Sequence, residues 1–376
     1  DPIKLSVAPN SDPAGFSSED HFFMGQALDL ASKALGTTAP NPAVGCVFVK
    51  EGGVLAKGAT KPGGRPHAEP VALMAVEDKS LLKGATAYVT LEPCAHVGET
   101  PSCAGLLKDV GLGRVVVAVI DPDKRVKGQG LDILKLAGVK VELGLGFDEG
   151  VAINRAFFKR QHYGLPFVTL KIATSLDGKI ATVDGHSQWI TGEKARDHGH
   201  GLRAKSDAIL TGSGTVLADD PMMTCRLDGK EACSPIRIIL DKRGRVSDKH
   251  KIIKTANEVA TWVYGDSLEH LSNSWAEPVA GVDPYDLKAV LMDIAQRGIN
   301  SVMVEAGAEL TSAFMASGLV DEIYWYRAPM IIGDDGLAAF KSLGVKEIPD
   351  TQSFDRVLVE ELGADTLEIY CRKSED

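Results

Sequence analysis

The stretch EPCAHVGETPSC, residues 92–103, carries two cysteines with eight residues between them, and His67-Ala68-Glu69 stands upstream. For these side chains to meet, a strand must end at one cysteine, a helix must begin at the other, and an earlier helix must begin at the histidine. The surrounding sequence has that form. TAYVTL (86–91) is β-branched and aromatic and stops at Glu92-Pro93-Cys94. PSCAGLLKDVG reads as a short helix, and HAEPVALMAV (67–76) as a helix start.

The flanking segments extend this pattern. Residues 18–35 place Met24, Ala27, Leu28, Ala31 and Leu35 at helical spacing, after a tail over 1–17 rich in Pro, Ser, Asp and Gly. AVGCVFV (43–49), RVVVAVI (114–120) and VKVEL read as strands, and GLDILKLAG as a helix. Strands alternating with helices predict an α/β layered domain with parallel pairing, over 18–150. VAINRAFFKRQHYGLP reads as a connecting segment (151–165). The alternation then restarts: FVTLKIATSLDGKIA (167–181) begins a second unit with its own strand, and further strands are expected at 207–211, 236–240, 260–263, 301–305 and 322–327. Helices are expected near 192–203, 285–298 and 308–317. A chain of 376 residues exceeds one ordinary core, so a second α/β domain over 166–376 is the natural division.

Composition excludes some roles. No apolar run approaches the roughly 20 residues of a membrane helix. A formal net charge of −10 argues against general affinity for nucleic acid. Six scattered cysteines do not form a disulfide framework, which points to free thiols or metal ligands in a reducing compartment, the cytoplasm. The chain starts at Asp1, so a removed targeting segment, a plastid one included, stays open.

His67, Cys94 and Cys103 suit zinc. Three protein ligands leave the fourth tetrahedral position to a water, whose pKa the metal lowers to about 7. Glu69, two residues from a ligand but off the metal, is placed to move protons in a hydrolytic deamination. H-x-E alone is a weak signal. Followed about 25 residues later by Pro-Cys at a strand end and then by a cysteine at the next helix, it is far more specific. A polynucleotide base editor would carry C-x-x-C and a basic surface instead.

PNPAVG (40–45), PHAE (66–69), EPCAHVGETPSC and DPDKRVKGQG (121–130) resemble the deaminase half of the bifunctional riboflavin-biosynthesis deaminase/reductase family. Pro70 and Ser102 depart from the family's usual Val and Pro. The resemblance implies a cytidine-deaminase-like α/β/α domain, a phosphoribosylated diaminopyrimidine substrate, and substrate contacts from Asn41, His96, Asp121 and Lys124. An Asn before Pro is equally plain turn chemistry.

LKIATSLDGKIA (170–181), GHSQWITG (185–192), LRAKSDAILTGSGTVLADDPMMTCR (202–226) and VEAGAEL (304–310) resemble the reductase half. That likeness implies a dihydrofolate-reductase-like α/β domain using NADPH. No G-x-G-x-x-G follows a strand, so a Rossmann fingerprint is not the route to the cofactor. By resemblance Ala173, Trp189, Thr215, Asp219 and Gly307 fall on the cofactor side, and Ser187, Arg203, Met223, Arg226 and Glu305 on the substrate side. Lys171 and Asp177 are the expected catalytic pair, and Arg203 and Arg226 a two-guanidinium site for the ribose phosphate. Lys242 and Arg243 are candidates for the extra phosphate of NADPH. A homo-oligomer is also implied. The expected reaction sequence is hydrolytic loss of the 2-amino group, then reduction of the ribosyl group to ribityl.

Overall fold

The computed structural model describes residues 15–96, 101–121 and 127–373. The chain forms two compact units, divided between Tyr163 and Gly164. Residues 1–14 of the expected tail lie outside the described residues.

The first unit holds α1 (Ser18–Ala34), β1 (Gly45–Lys50), β2 (Gly53–Ala59), α2 (Ala68–Met74), β3 (Thr86–Leu91), α3 (Cys103–Asp109), β4 (Arg114–Val119), α4 (Gln129–Leu136), β5 (Lys140–Leu143) and α5 (Phe147–Tyr163). Among the described residues these strands form one sheet in the order β2-β1-β3-β4-β5. The pairs β3–β4 and β4–β5 are parallel, whereas β1 runs antiparallel to both its neighbours. The antiparallel hairpin is a departure from the expected all-parallel pairing. Its second strand, GVLAKGA, is broken by Gly and Lys and gives no clear period-2 signal.

α1 starts with a capping box: Ser17 Oγ accepts the Asp20 N–H (3.1 Å) and Asp20 accepts the Ser17 N–H (2.9 Å). Its buried face, Phe23, Met24, Ala27, Leu28 and Ala31, packs on the sheet. The approach is close, because a Cβ on Gly45 of β1 would lie 1.9 Å from the Ala27 carbonyl oxygen. Asp20 also accepts from Tyr88 Oη (2.7 Å) and Arg114 Nη1 (2.6 Å), and Arg114 Nε bonds Glu142. This chain of polar groups ties α1 to β3, β4 and β5. Burial alone would raise the Asp20 carboxyl, but bonds from Arg114, Tyr88 and Ser17 hold it well below the usual carboxylate range. Residues 151–163 belong to α5, whose Phe158 is fully buried in the first unit's core and whose Asn154 bonds both backbone groups of Ala43.

The second unit holds β6 (Phe167–Thr174), β7 (Lys179–Ala181), α6 (Glu193–Lys205), β8 (Ala208–Gly212), α7 (Ser213–Asp219), β9 (Ile236–Leu240), α8 (Lys251–Lys254), β10 (Thr261–Tyr264), β11 (Glu277–Val279), α9 (Leu287–Gln296), β12 (Ser301–Val304), α10 (Ala308–Ser317), β13 (Glu322–Arg327), β14 (Leu337–Ala338), β15 (Phe354–Leu362) and β16 (Asp365–Arg372). Its main sheet runs β11-β10-β9-β8-β12-β6-β13-β16-β15 among the described residues. Pairing is parallel from β11 through β13, and the β15–β16 hairpin closes the edge antiparallel. Because β8, β12 and β6 are neighbours, their carboxyl ends bring Gly212, Glu305 and Lys171–Ala173 together, where open α/β sheets place ligands.

Candidate active sites

In the first unit, His67 is the N-cap residue of α2, and Cys103 is the first residue of α3. Cys94 lies just past the end of β3, after Glu92 and Pro93. The chain returns from Cys94 to α3 by backbone bonds: the Ala104 N–H donates to the Cys94 carbonyl (3.1 Å), and the Cys103 N–H to Cys94 Sγ (3.3 Å). Ser102 caps α3 by accepting the Gly105 N–H (3.1 Å), which gives this departure from the family pattern a local function. Pro70 lies in the first turn of α2, where its missing N–H would have had no helical partner.

His67 Nδ1 lies 3.8 Å from Cys94 Sγ and 3.4 Å from Cys103 Sγ. A tetrahedral zinc with ordinary Zn–S and Zn–N lengths sets such an edge at about 3.6 Å. Nδ1 and the two sulfurs form the single group of metal-ligating atoms found among the described residues. The donor set therefore fits zinc. Cys94 is held down to about 4 by hydrogen bonding from the Cys103 thiol, with His67 adding to it; the same contact, with burial, pushes Cys103 up. The two helix N-termini favour the thiolate form, and that thiolate with the histidine supplies the donors a zinc ion takes.

Glu69 is 3% exposed. Burial pushes its carboxyl up to about 7. The Asn41 amide donates to the Gly64 carbonyl (2.8 Å), so it braces the loop leading to His67. His96 is exposed just past Cys94. The Asp121 N–H donates to Glu92 (3.1 Å), and Lys124 lies outside the described residues. Glu92 has no role in the sequence reading. Its buried carboxylate also accepts the N–H groups of Gly128 and Gly130 (3.0 Å each), fastening the start of α4 beside Pro93. Its only sequence signal is its place next to Pro93-Cys94.

In the second unit two adjoining clefts share Lys171, Ala173, Ser187, Arg203, Asp219, Met223 and Glu305. The larger, about 890 Å³, is also lined by Gly212–Thr215, Gly307 and the cations Lys242, Arg243 and Arg245. Its volume, glycine-rich turns and positive rim fit a phosphate-bearing dinucleotide. The Gly307 N–H donates to Thr215 Oγ1 (3.2 Å), which joins the starts of α7 and α10. Lys242 is paired with Asp266 (2.7 Å) and Asp283 (3.0 Å).

The smaller cleft, about 380 Å³, holds Trp189 and Arg226. Trp189, expected beside the cofactor, lines this cleft and not the larger one, with the Arg196 guanidinium 4.7 Å above its ring. Glu305 accepts from Lys171 Nζ (3.1 Å) and from Arg203 Nε and Nη2 (3.2 and 2.9 Å). Burial would raise Glu305, but the charges of Arg203 and Lys171 hold it well below the carboxylate range. Asp177 lines neither cleft. It accepts from Ser175 Oγ (2.6 Å) and from the N–H groups of Ile332 (3.2 Å) and Gly333 (2.8 Å), bonds that pull its carboxyl down to about 2. These bonds staple the turn after β6 to the Ile332–Gly333 loop. His200 and Tyr326 line the smaller cleft and are absent from the sequence reading.

The chain matches the cytidine and deoxycytidylate deaminase zinc-binding region over 17–119 and the RibD C-terminal domain over 166–367. It is 40% identical to the Haemophilus influenzae riboflavin biosynthesis protein RibD, covering 95% of this chain and 99% of that one. The Escherichia coli protein of the same name is also 40% identical, over 92% and 98%. The solved structure of Acinetobacter baumannii RibD superposes with a TM-score of 0.87 at 38% identity, covering 95% and 99% of the two chains. A Thermotoga maritima diaminohydroxyphosphoribosylaminopyrimidine deaminase/5-amino-6-(5-phosphoribosylamino)uracil reductase superposes at 0.85 with 34% identity, covering 94% and 99%. The first unit thus has the cytidine-deaminase-like fold and the second the dihydrofolate-reductase-like fold. With a zinc-type ligand triad in one unit and a dinucleotide-sized cleft in the other, the chain belongs to the RibD family of bifunctional riboflavin-pathway deaminase/reductases.

Proposed function

We propose that the first unit, 18–150 with the helix that follows, deaminates diaminohydroxyphosphoribosylaminopyrimidine. The second unit, from 166 onward, reduces the ribosyl group of the product to ribityl. The observation that carries the reading is the convergence of His67, Cys94 and Cys103 beside the buried Glu69.

His67, Cys94 and Cys103 would hold zinc, which supplies an activated water at neutral pH. Glu69 is buried and off the ligand set, so it is free to hold a proton at its carboxylate and pass it to the ring nitrogen and the departing ammonia. In the second unit Gly212–Thr215 and Gly307 would hold NADPH, which supplies the hydride. Lys171 keeps a proton at Nζ on the cleft wall, and Glu305 fixes that ammonium at 3.1 Å. Arg226 would take the sugar phosphate, while Ser187 and Met223 flank it. Asn41, His96, Asp121 and Lys124 are the proposed substrate contacts of the first unit. Among the described residues no helix is long and apolar enough to cross a membrane, and all six cysteines are free, which suits a small-molecule enzyme of the cytoplasm. A homo-oligomer is part of the same reading, and sedimentation equilibrium tests it.

A coupled assay on the diamino substrate tests the assignment. Glu69→Gln should block ammonia release. Lys171→Ala should spare ammonia release and impair NADPH oxidation. Normal deamination by Glu69→Gln would overturn the first site.

A further inference from the structure

We propose that Arg237, a buried arginine that lines neither cleft, is a positioning residue for the reductase. Through the Met222 carbonyl it holds the segment 220–223, the wall that the two clefts of the second unit share. That role rests on reading the clefts as adjoining cofactor and sugar sites.

Arg237 stands on β9 and is 0% exposed. Among the described residues no carboxylate bonds it. Five neutral oxygen contacts take its five N–H donors instead. Nε donates to Thr261 Oγ1 (3.0 Å), and Nη1 to Thr255 Oγ1 (2.8 Å) and the Met222 carbonyl (3.0 Å). Nη2 donates to the carbonyls of Thr255 and Val259 (2.9 Å each). The Thr255 and Thr261 hydroxyls give their hydrogens to the Lys251 and Val259 carbonyls (2.8 and 2.9 Å), so they meet the guanidinium as acceptors. Burial pulls the guanidinium down to about 10 against the opposing charge of Glu258, so it stays cationic near pH 7. Burying such a cation is costly, and an apolar side chain of similar volume would fill the space without that cost. Four of the bonds close the turn between α8 and β10. The fifth reaches a different segment, through Met222.

That segment has a backbone that must be held. Asp220 (φ 41°) and Met223 (φ 53°) are both left-handed, a state that only Glu51 shares among the described non-glycine residues. A Cβ crowds its own backbone there, so such residues persist only where their surroundings fix them. The fixing contacts are present. Asp220 Oδ1 accepts the Lys251 N–H at the start of α8 (2.8 Å). The carbonyls on either side of Met223 each accept from a guanidinium, Met222 from Arg237 and Thr224 from Arg203 Nη1 (2.9 Å). Arg203 is in turn forked onto Glu305, which also takes Lys171 Nζ. The segment is thus pinned between the core on one side and the charged groups of the cleft on the other. Pro221 and Met223 line both clefts, and Asp220 and Met222 line the smaller. A sugar in the smaller cleft has to meet a nicotinamide in the larger one at near-contact distance. A shift of about 1 Å in their shared wall costs on the order of 100-fold in rate.

The test uses the full chain. Calorimetric titration with NADPH counts intact second units, and kcat with the deaminated intermediate is expressed per NADPH site. Hydrogen exchange in the absence of ligand follows the amides of 219–226. Arg237→Met, apolar and of similar volume, should keep its NADPH sites and lose about 10- to 100-fold in kcat per site. Its amides over 219–226 should exchange faster. Arg237→Lys, which keeps the charge and part of the donor set, should lose less. Thr261→Val removes one acceptor of Arg237 and leaves the Met222 bond in place. It should lower the urea midpoint of the second unit, with kcat per site and exchange over 219–226 at wild-type values. If wild type takes up no NADPH, the reading of the clefts fails and this inference with it. If wild type does take it up, two results overturn the role of Arg237 alone. One is that both Arg237 variants turn over at the wild-type rate per site, or lose rate only in step with lost NADPH sites. The other is that Thr261→Val loses as much kcat per site as Arg237→Met.

Discussion

Replacing Gly58 by alanine adds one methyl group where β2 meets α2, the helix that presents His67 and Glu69. The new Cβ would stand 2.3 Å from the Ala68 carbonyl oxygen and 2.4 Å from the Ala72 nitrogen, against 3.4–4 Å for ordinary contact. Both neighbours are backbone atoms, so no side chain can swing away. α2 has to retreat by about 1 Å, since shorter non-bonded contacts are steeply repulsive. Such overpacking costs about 1–3 kcal/mol. For a unit of this size that is a drop of about 2–12 °C in the melting temperature. The retreat also moves His67 and Glu69 away from Cys94 and Cys103, which are held just past β3 and at the start of α3. A displacement of about 1 Å in a reacting group costs on the order of 100-fold in rate. Ammonia release from the diamino substrate should therefore fall by about that factor. Zinc should be lost to a chromophoric chelator more readily, while NADPH oxidation with the deaminated intermediate serves as the internal control and stays near wild type. Gly25→Ala, on α1 with open space around the added carbon, is the matched control and should leave both activities intact. Full ammonia release with wild-type zinc retention in Gly58→Ala would refute the claim that this close approach sets the site.

Asp20→Asn should destabilise the first unit by about 3 kcal/mol at pH 7, because Arg114 and Tyr88 lose a buried anionic partner. Since the folded Asp20 carboxyl lies below its unfolded value of about 4, its contribution is complete above that pH. It fades as pH falls further, so urea melts of the two proteins should converge under acid; a constant gap down to pH 2 would contradict the bond network. Asp177→Asn should keep NADPH oxidation within about tenfold of wild type, because the carboxylate staples a loop and does not line a cleft; a loss on the order of 1000-fold would restore a general-acid role. Removing zinc with a chelator should abolish ammonia release and spare NADPH oxidation, and parallel loss of both would contradict separate sites.

Much of the site chemistry is legible locally. HAE and EPC announce ligands and a proton carrier because deamination needs those groups at those offsets, and the nine-position step from Cys94 to Cys103 is a loop bridged by backbone bonds. Strands with buried, β-branched faces such as RVVVAV are equally plain. The edge strand FDRVLVEEL has almost no buried face, and its partner DTLEIYCR follows a weak alternation, so neither stands out without the sheet they extend.

Residue type and spacing thus determined by themselves the alternating α/β elements, the zinc-type ligand set and the family. Only the tertiary structure decided how charges are spent. Glu305 stands over a hundred positions from Arg203 and takes its guanidinium. Asp177 bonds backbone more than 150 positions away. Periodicity reports which face of an element is buried. Hydrogen bonds and ion pairs fall off within a few ångströms, so their partners are fixed only once distant segments have been packed side by side.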